Sequence, residues 1–316
     1  MIRVRPRRLT TLSAVTVILA LTGCSLLPAG PGSSSSPAAT ATTPLPRASS
    51  AGASTRVPSP TPTPATASSS APTVSLPEPS NGSEDRLRAS FAALPDAGSL
   101  SIAIVAVGSD AQPIQLGEAG SSVAWSTAKV PLAIAVERGP RAEALRPTMQ
   151  RAITASDNDA ALELWRSLGT PEAAGRATDR VLRDFGDATT TTQTEQVRPP
   201  YTPFGQTRWS VGDQARFAAH LPCRSEAAPV YSAMGQVITD QRWGLGRIPD
   251  ARFKGGWGPS SRGYLVRQLG VIDTPRGQVA VAITTDAGSF EDGTAVLSRA
   301  ARWLQTQQDH LPAGRC

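Results

Sequence analysis

Hydrophobic patterns typical of strands lie towards both ends of residues 83–316, and patterns typical of helices lie between them. Alternating β-branched residues predict a hairpin formed by residues 100–107 and 113–118. Three more strands are predicted at residues 252–257, 264–273 and 278–286, with turns at 258–259 and 274–277. Strands that flank a helical segment favour an α+β fold in which the sheet is antiparallel.

Apolar residues recur with helical periodicity in the middle of this region and again at its two ends. A first helix is predicted to start at Ser83, and a last one spans residues 290–307. The others are predicted at residues 126–138, 144–154, 158–168, 172–185, 210–220 and 226–240. Residues 189–208 form a polar loop that is long enough to indicate a function. We expect one domain, residues 83–316, with terminal helices packed on a face of the sheet and an all-helical lobe inserted.

The first 24 residues resemble an export signal of the lipoprotein type. Arginines precede an apolar run at residues 12–21 that is too short to span a membrane. Small residues then lead to Cys24, an arrangement that resembles a lipobox and implies lipid attachment to this sulfur. The alternative is an ordinary secretory signal with an incidental cysteine. We expect a protein anchored by its lipid to the outer face of the cytoplasmic membrane, with the domain in the cell-wall space.

Residues 25–82 consist almost entirely of Ser, Thr, Pro, Ala and Gly, and they carry only three charged side chains. A segment of this composition has too little apolar surface to form a core. We expect a disordered tether, which would span roughly 40 Å as a flexible chain.

The charge of the chain gives no sign of nucleic-acid binding. Its formal net charge is +6, and +2 remains once the four arginines of the signal are removed. No basic stripe interleaved with aromatic residues is left, so a nucleic-acid partner is not expected.

The two histidines, His220 and His310, lie far from any nucleophile motif, which argues against a Ser-His-Asp triad. No metal site and no cofactor are predicted, and we expect a monomer.

Two cysteines, Cys223 and Cys316, follow Cys24 in the sequence. An even number of remaining cysteines in an exported protein favours a disulfide, which here would fix the carboxyl terminus to the domain. The alternative is two free thiols. The cysteines lack the neighbouring ligands that a zinc site would need.

Only two of the 31 Lys and Arg residues are lysines, and each lies in a motif that acyl-transfer chemistry would need. A desolvated lysine can act as a base because burial lowers its pKa, whereas arginine stays charged. Lys129 follows Ser126 by one helical turn, so its amine can reach the hydroxyl. Lys254 begins the triplet Lys254-Gly255-Gly256 on a predicted strand. The alternative for the first motif is a capped helix with a solvated lysine.

A third motif, Ser156-Asp157-Asn158, lies between two predicted helices. Alone it is typical of a helix N-cap, and the lysine triplet alone could be a strand bulge. In the order S-x-x-K, S-D-N and K-x-G, however, the motifs resemble those of class A β-lactamases and penicillin-binding proteins. The resemblance covers residues 84–307. In particular, the chain is similar to β-lactamase-like lipoproteins of actinobacterial cell envelopes.

The resemblance implies a role for each motif residue. Ser126 would be the acylated nucleophile, and Lys129 would accept its proton directly or through water. Ser156 would relay a proton to the leaving amine, while Lys254 would tune that relay and attract a substrate carboxylate. Asn158 would hold the amide side chain of the substrate.

The resemblance also implies how a substrate is bound. The backbone amides of Ser126 and Trp257, next to Gly256, would form an oxyanion hole. Arg262 would bind a substrate carboxylate, and Asp157 would brace its loop. The implied substrates are β-lactams or D-Ala-D-Ala-like peptides derived from peptidoglycan.

Two departures from the family pattern concern substrate binding. Gly255 stands where the family carries Thr or Ser, so one hydrogen bond to the substrate carboxylate is lost and weaker binding is expected. Only 30 residues separate Ser126 from Ser156, which predicts a shortened helical lobe and a more open site.

A third departure concerns the glutamate that would activate water for deacylation. Glu195 lies in the expected loop, but the Leu-Asn pair that normally follows this glutamate is missing. Glu195 is therefore either that base or a surface residue paired with Arg198 or Arg208.

Two functions follow from these observations. The first is a serine hydrolase of the β-lactamase or D,D-peptidase type that forms an acyl-enzyme at Ser126. The second is a catalytically inactive envelope protein that uses the same fold to bind a peptidoglycan fragment or a protein partner. The intact nucleophile, base and relay favour the enzyme.

Overall fold

The computed structural model describes residues 81–316, which form eight α-helices and seven β-strands. The strands are β1 Leu100–Ala106, β2 Ile114–Leu116, β3 Ser121–Val123, β4 Arg208–Ser210, β5 Arg252–Ser260, β6 Gly263–Thr274 and β7 Gly277–Ala287. The helices are α1 Asn81–Ala92, α2 Lys129–Glu137, α3 Ala142–Thr154, α4 Asn158–Ser167, α5 Pro171–Asp184, α6 Val211–His220, α7 Ala228–Met234 and α8 Phe290–Thr306. The predicted signal with Cys24, and all but the last two residues of the predicted tether, lie outside this range.

Five strands form one antiparallel sheet in the order β2-β1-β7-β6-β5. In the pairing of β1 with β7, Ile102 lies opposite Ile283. Successive residues of a strand point to opposite faces, so Ile102 and Ile104 enter one apolar core while Ala103 and Val105 enter another. Both faces of the sheet are covered, which explains why β1 is buried along nearly its whole length.

Helices α1 and α8 pack on one face of the sheet, as the sequence predicts. The apolar stripe of α8, which includes Leu297 and Trp303, is buried, and the ring of Phe91 from α1 meets Trp303 edge-on. Ser289 caps α8 by accepting a hydrogen bond from the backbone N–H of Asp292.

The helical lobe is inserted between β3 and β4, and α6 then lies against β1 and β7 on the second face of the sheet. Helix α2 is buried from Lys129 to Val136, as expected of a helix that is apolar on all sides. Helices α4 and α5 begin at side-chain caps, Asp157 and Thr170. The predicted α+β architecture, with an antiparallel sheet, terminal helices and an inserted helical lobe, is confirmed.

Two predicted boundaries are wrong. The helix expected at residues 226–240 is limited to α7, because the chain leaves the helix at Gly235 and the N–H of Ile238 donates to Thr154 O instead. The turn expected at residues 258–259 is absent, since β5 continues to Ser260. Pro259 is tolerated there because β5 is an edge strand.

Strands β3 and β4 form a small second sheet that the sequence analysis missed. Each has only three residues, too few to show a hydrophobic period, and Ser122 pairs with Trp209. This pairing joins the end of the loop at residues 189–208 to the segment that leads to Ser126. None of the helices within residues 81–316 has the length and apolar character that crossing a membrane would require.

The predicted disulfide between Cys223 and Cys316 is present and joins residues 93 positions apart. It fixes the carboxyl-terminal residue to the segment that follows α6. Nearby, Gly314 pairs with Gln278 at the start of β7, so the terminal segment is also held by backbone hydrogen bonds.

Removal of this disulfide should destabilise the domain. We expect the double variant Cys223→Ser, Cys316→Ser to lose about 2–5 kcal/mol of unfolding free energy, because the unfolded chain regains the freedom of a long closed loop. Urea unfolding of both proteins without reductant measures the difference, and reduced wild type serves as the control. Equal unfolding midpoints for oxidised wild type and the variant would contradict the prediction.

Candidate active site

Ser126 lies in a 3₁₀ turn that leads directly into α2. Thr127 fixes the turn from the protein interior, since it donates to Ala124 O (2.5 Å) and accepts from Gln214 Nε2 (2.8 Å). Trp125 has a φ of 49°, in the left-handed region that residues other than glycine rarely adopt. In this turn Thr127 is buried while Ser126 lines a cavity.

A cavity of about 480 Å³ gathers the polar residues of two predicted motifs. Ser126, Lys129, Ser156 and Asn158 all line it. The aromatic and proline residues of its lining are Trp125, Pro200, Tyr201, Phe204, Trp257, Pro259 and Tyr264. The S-x-x-K and S-D-N motifs therefore meet at one site, and the loop at residues 189–208 supplies a wall.

The amine of Lys129 is buried against the S-D-N turn. Its Nζ donates to Ser156 O (2.5 Å), Asn158 Oδ1 (2.8 Å) and Asp157 O (3.2 Å), and it lies 3.4 Å from Ser156 Oγ. Among the described residues, no hydrogen bond links this amine to the Ser126 hydroxyl. Burial lowers the pKa of Lys129 to about 7, although the charge of Asp157 acts in the opposite direction. The amine is therefore partly neutral near pH 7, and in its neutral form it can accept a proton once one of these three donated hydrogen bonds is released.

Lys254 is fully buried on β5 and reaches the same serine of the S-D-N turn. Its Nζ donates to Ser156 Oγ (2.9 Å) and Gly255 O (2.8 Å). Burial, and then the charge of Lys129, lowers the pKa of Lys254 well below its usual range. No carboxylate within residues 81–316 forms a salt bridge with either lysine, so the protonated form of both is destabilised.

The conformation of the S-D-N turn explains these contacts. Ser156 has a φ of 58°, another left-handed non-glycine residue, and its carbonyl accepts from Lys129. Asp157 caps α4 by accepting from the N–H of Ala160, and this hydrogen bond is the main reason that the pKa of Asp157 is lowered. Asp157 does not line the cavity, which fits the bracing role that the resemblance implies.

Glycine at position 256 allows β5 to lie directly against the turn that carries Ser126. A Cβ at Gly256 would lie 2.8 Å from Ala124 O and 2.9 Å from Ser126 N, closer than side chains tolerate. Ser126 and Trp257 both line the cavity, as an oxyanion hole built from their backbone amides would require.

Gly255 faces away from the cavity. A Cβ at this position would lie 3.0 Å from the ring of Trp243, and Gly255 is not among the lining residues. The absence of a side chain is therefore explained by packing against Trp243. Weaker binding of a substrate carboxylate stays a prediction.

Arg267 on β6 is a buried residue of the site region that the sequence analysis missed. Its Nη1 donates to Ser122 O and Val123 O (both 3.1 Å), and its Nη2 donates to Trp209 O (3.0 Å). The guanidinium thus ties the main sheet to β3 and β4, just before Ser126. An arginine in the predicted strand at residues 264–273, flanked by the apolar residues of 265–266 and 269–272, was the signal that could have revealed it.

Glu195 is exposed and does not line the cavity. Its role as a base stays a prediction. The ion pairs with Arg198 or Arg208 that the sequence allows are absent from the described part of the chain. Arg198 instead donates to Pro259 O (2.8 Å) and lies over the ring of Tyr201.

Arg262 also lies outside the cavity lining. Its guanidinium pairs with Asp286 at 2.9 Å and lies 3.8 Å from Glu118. The hydrogen bond and charge of Asp286 raise the pKa of Arg262 above its usual value. A substrate carboxylate would have to compete with these two acidic side chains.

Several wall residues were not singled out from the sequence. Asp159 directly follows the S-D-N motif, which was a usable signal, whereas Leu162, Tyr201, Gln206 and Tyr264 had none because distant segments bring them together.

Within residues 81–316, no three His, Cys, Asp or Glu side chains gather as metal ligands. The hydroxyls of Ser126 and Ser156 and the amines of Lys129 and Lys254 are groups that can take part in nucleophilic attack and proton transfer.

Comparison with solved structures identifies the architecture. The TLA-1 extended-spectrum β-lactamase is similar over 72% of this chain and 99% of that chain, with a TM-score of 0.57 and 16% identity. The chain has the class A β-lactamase fold. A class A β-lactamase from Bacteroides cellulosilyticus covers 72% of this chain and 97% of its own, with a TM-score of 0.56 and 12% identity. For a β-lactamase from Sphaerobacter thermophilus, the match covers 69% of this chain and 95% of that chain, with a TM-score of 0.53 and 21% identity. No family model and no curated protein sequence matches the chain.

The two lysines can be titrated individually, because the chain contains no others. With lysine labelled at Cε by ¹³C, we expect two NMR signals, and the Lys129 signal should titrate at about pH 7. A Lys129→Met variant assigns the signals. The same protein in denaturant should titrate near the ordinary value of about 10.4. A Lys129 signal that titrates near 10 in the folded protein would contradict the prediction.

Proposed function

We propose that this protein is a serine hydrolase of the β-lactamase or D,D-peptidase type, which forms an acyl-enzyme at Ser126. The observation that carries the proposal is the convergence of two buried amines, Lys129 and Lys254, on the hydroxyl of Ser156 at the cavity that Ser126 lines. Burying two lysine amines without a carboxylate partner lowers the stability of the folded domain. A role of these amines in proton transfer at the cavity would explain why they are buried there.

The proposed reaction follows from these contacts. Ser126 Oγ attacks the carbonyl carbon of a β-lactam or a D-Ala-D-Ala-like peptide, and its proton passes to neutral Lys129 directly or through water. The oxyanion accepts hydrogen bonds from the N–H groups of Ser126 and Trp257. When the C–N bond breaks, Ser156 gives its proton to the leaving amine and recovers one from the neighbouring lysines. The product is an ester at Ser126.

A second candidate is an inactive binding protein with the same fold. It is favoured by the hydrogen bonds of Lys129, which all go to the S-D-N turn among the described residues. It is also favoured by the positions of Glu195 and Arg262 outside the cavity lining. Under this proposal the cavity would hold a peptidoglycan fragment or a protein segment without bond cleavage.

The two candidates differ in whether Ser126 becomes acylated. We expect the full chain to form a covalent adduct with a fluorescent penicillin, detected on gels and by intact mass. The adduct should be lost in Ser126→Ala and retained in Ser121→Ala, a serine outside the cavity lining. Its rate should rise as pH increases through about 7, where Lys129 becomes neutral. Absence of an adduct with several β-lactam classes would reject the hydrolase and support the binding protein.

The fate of the acyl-enzyme depends on a base for water, and Glu195 is the candidate from sequence. Because Glu195 is exposed and outside the cavity lining, we expect Glu195→Gln to change the deacylation rate less than about twofold, well below the effect typical of removing a general base. Recovery of free protein after removal of excess penicillin, followed by mass, measures this rate. A deacylation rate that is a hundredfold lower in Glu195→Gln would show instead that the loop moves Glu195 into the site.

We also propose that the protein is exported and anchored by lipid at Cys24, with residues 25–82 as a tether and residues 83–316 as the domain. The proposal is supported by the arginines, the short apolar run and the small residues before Cys24. A domain tethered in this way would work on substrates of the cell wall.

A further inference from the structure

We propose that the acyl donor for this cavity carries an ammonium group, recognised by Asp159 together with the aromatic walls. This inference rests on the proposed function of Ser126 and names the class of its substrate. The sequence alone suggests selection of a substrate carboxylate through Arg262 and the lysine triplet, and the ammonium group is a separate feature of the same substrate.

Asp159 is the only carboxylate among the described residues that line the cavity. It is the second residue of α4, and its side chain is exposed, without a side-chain hydrogen bond or ion pair within residues 81–316. An unpaired negative charge in a cavity wall attracts cations and repels anions.

The positive charges around the cavity do not offset this carboxylate. The ammonium forms of Lys129 and Lys254 are disfavoured by burial. The guanidinium of Arg262 pairs with Asp286 and lies near Glu118, outside the lining. Near pH 7, the cavity lining within residues 81–316 therefore carries one full negative charge, on Asp159, against the partial positive charge of Lys129.

The aromatic walls act in the same direction, because the faces of aromatic rings attract cations. Arg198 already lies over the rings of Trp125 and Tyr201, at 5.7 and 5.2 Å, so this wall accepts positive charge. No Lys or Arg of the described residues lies over Tyr264, a partly exposed ring that also lines the cavity. A carboxylate beside several aromatic rings is a suitable environment for an ammonium group.

The position of Asp159 indicates where the ammonium group lies on the substrate. Asp159 directly follows Asn158, whose side chain lines the cavity and is assigned to the amide of the acyl side chain. We therefore place the amine on the acyl side, close to that amide. Ampicillin and benzylpenicillin form a matched pair of probes, because they differ only by an amine at this position.

The test compares acylation of the full chain by these two penicillins at about pH 7, where an α-amino group is still mostly protonated and Lys129 is partly neutral. We expect the second-order acylation rate constant to be about 3- to 10-fold higher for ampicillin, the size of an exposed ion pair with a cation–π contact. The preference should shrink at high salt, which screens exposed charges. Asp159→Asn should lower the ratio by about 2- to 5-fold, and Asp159→Lys should invert it.

Glu143→Gln, which removes an exposed carboxylate from α3 outside the cavity lining, is the matched control and should keep the wild-type ratio. Equal acylation of wild type by both penicillins would overturn the inference but leave the hydrolase proposal intact. If Asp159→Asn lowered the acylation rate constant equally for both penicillins, the inference would also be overturned, since Asp159 would then support the structure of the site and not bind the amine. Absence of any adduct on wild type would reject the proposed function itself, and the inference with it.

Discussion

The burial of two lysine amines around one serine hydroxyl is the interaction on which the candidate site depends. Each ammonium group loses its hydration, and no carboxylate within residues 81–316 forms a salt bridge with it, so the charged form is strongly disfavoured. The charge of Lys129 lowers the proton affinity of Lys254 further. Arginine could not replace either residue, because it would keep its charge and have no lone pair to accept a proton. This explains why the chain retains lysine at these two positions.

Three separate segments must be held together for the amines to meet at Ser156. The turns at Trp125 and Ser156 both contain a left-handed non-glycine residue, and such conformations persist only where surrounding contacts fix them. At the first turn, those contacts are the buried Thr127 and the close approach of β5 at Gly256. At the second, the cap formed by Asp157 and the hydrogen bonds from both lysines fix the chain. The strain is therefore balanced by the same contacts that assemble the site.

The sequence predicted most of the architecture because the long elements carry their own hydrophobic period. The helical lobe, the terminal helices and the hairpins of the main sheet are of this kind. The motif residues Ser126, Lys129, Ser156 and Lys254 were also predictable, since each lies in a short local pattern and the order of the patterns is informative. Their meeting in the structure depends on tertiary contacts that these patterns do not encode.

The parts that could not be predicted depend on contacts between distant segments. Strands β3 and β4 have too few residues to show a period, and the end of α7 is set by a hydrogen bond to Thr154 on another helix. The loop around Glu195 follows a path that is fixed by the hydrogen bond of Arg198 to Pro259. Its sequence shows that the loop is unusual, but the sequence cannot show which of its side chains face the cavity.

The groups proposed for catalysis and for recognition occupy different parts of this cavity, and the difference has a physical consequence. The groups proposed for acylation are buried or fixed by backbone contacts, so a change in one of them disturbs the packing around it. The walls formed by Asp159, residues 200–203 and Pro259 are more exposed, and their side chains can change at little cost in stability. A fold of this kind can therefore keep the proposed nucleophile Ser126 in place while the charge of the cavity walls changes. The exposed carboxylate of Asp159, in the same cavity lining as the buried Lys129, is consistent with such a separation.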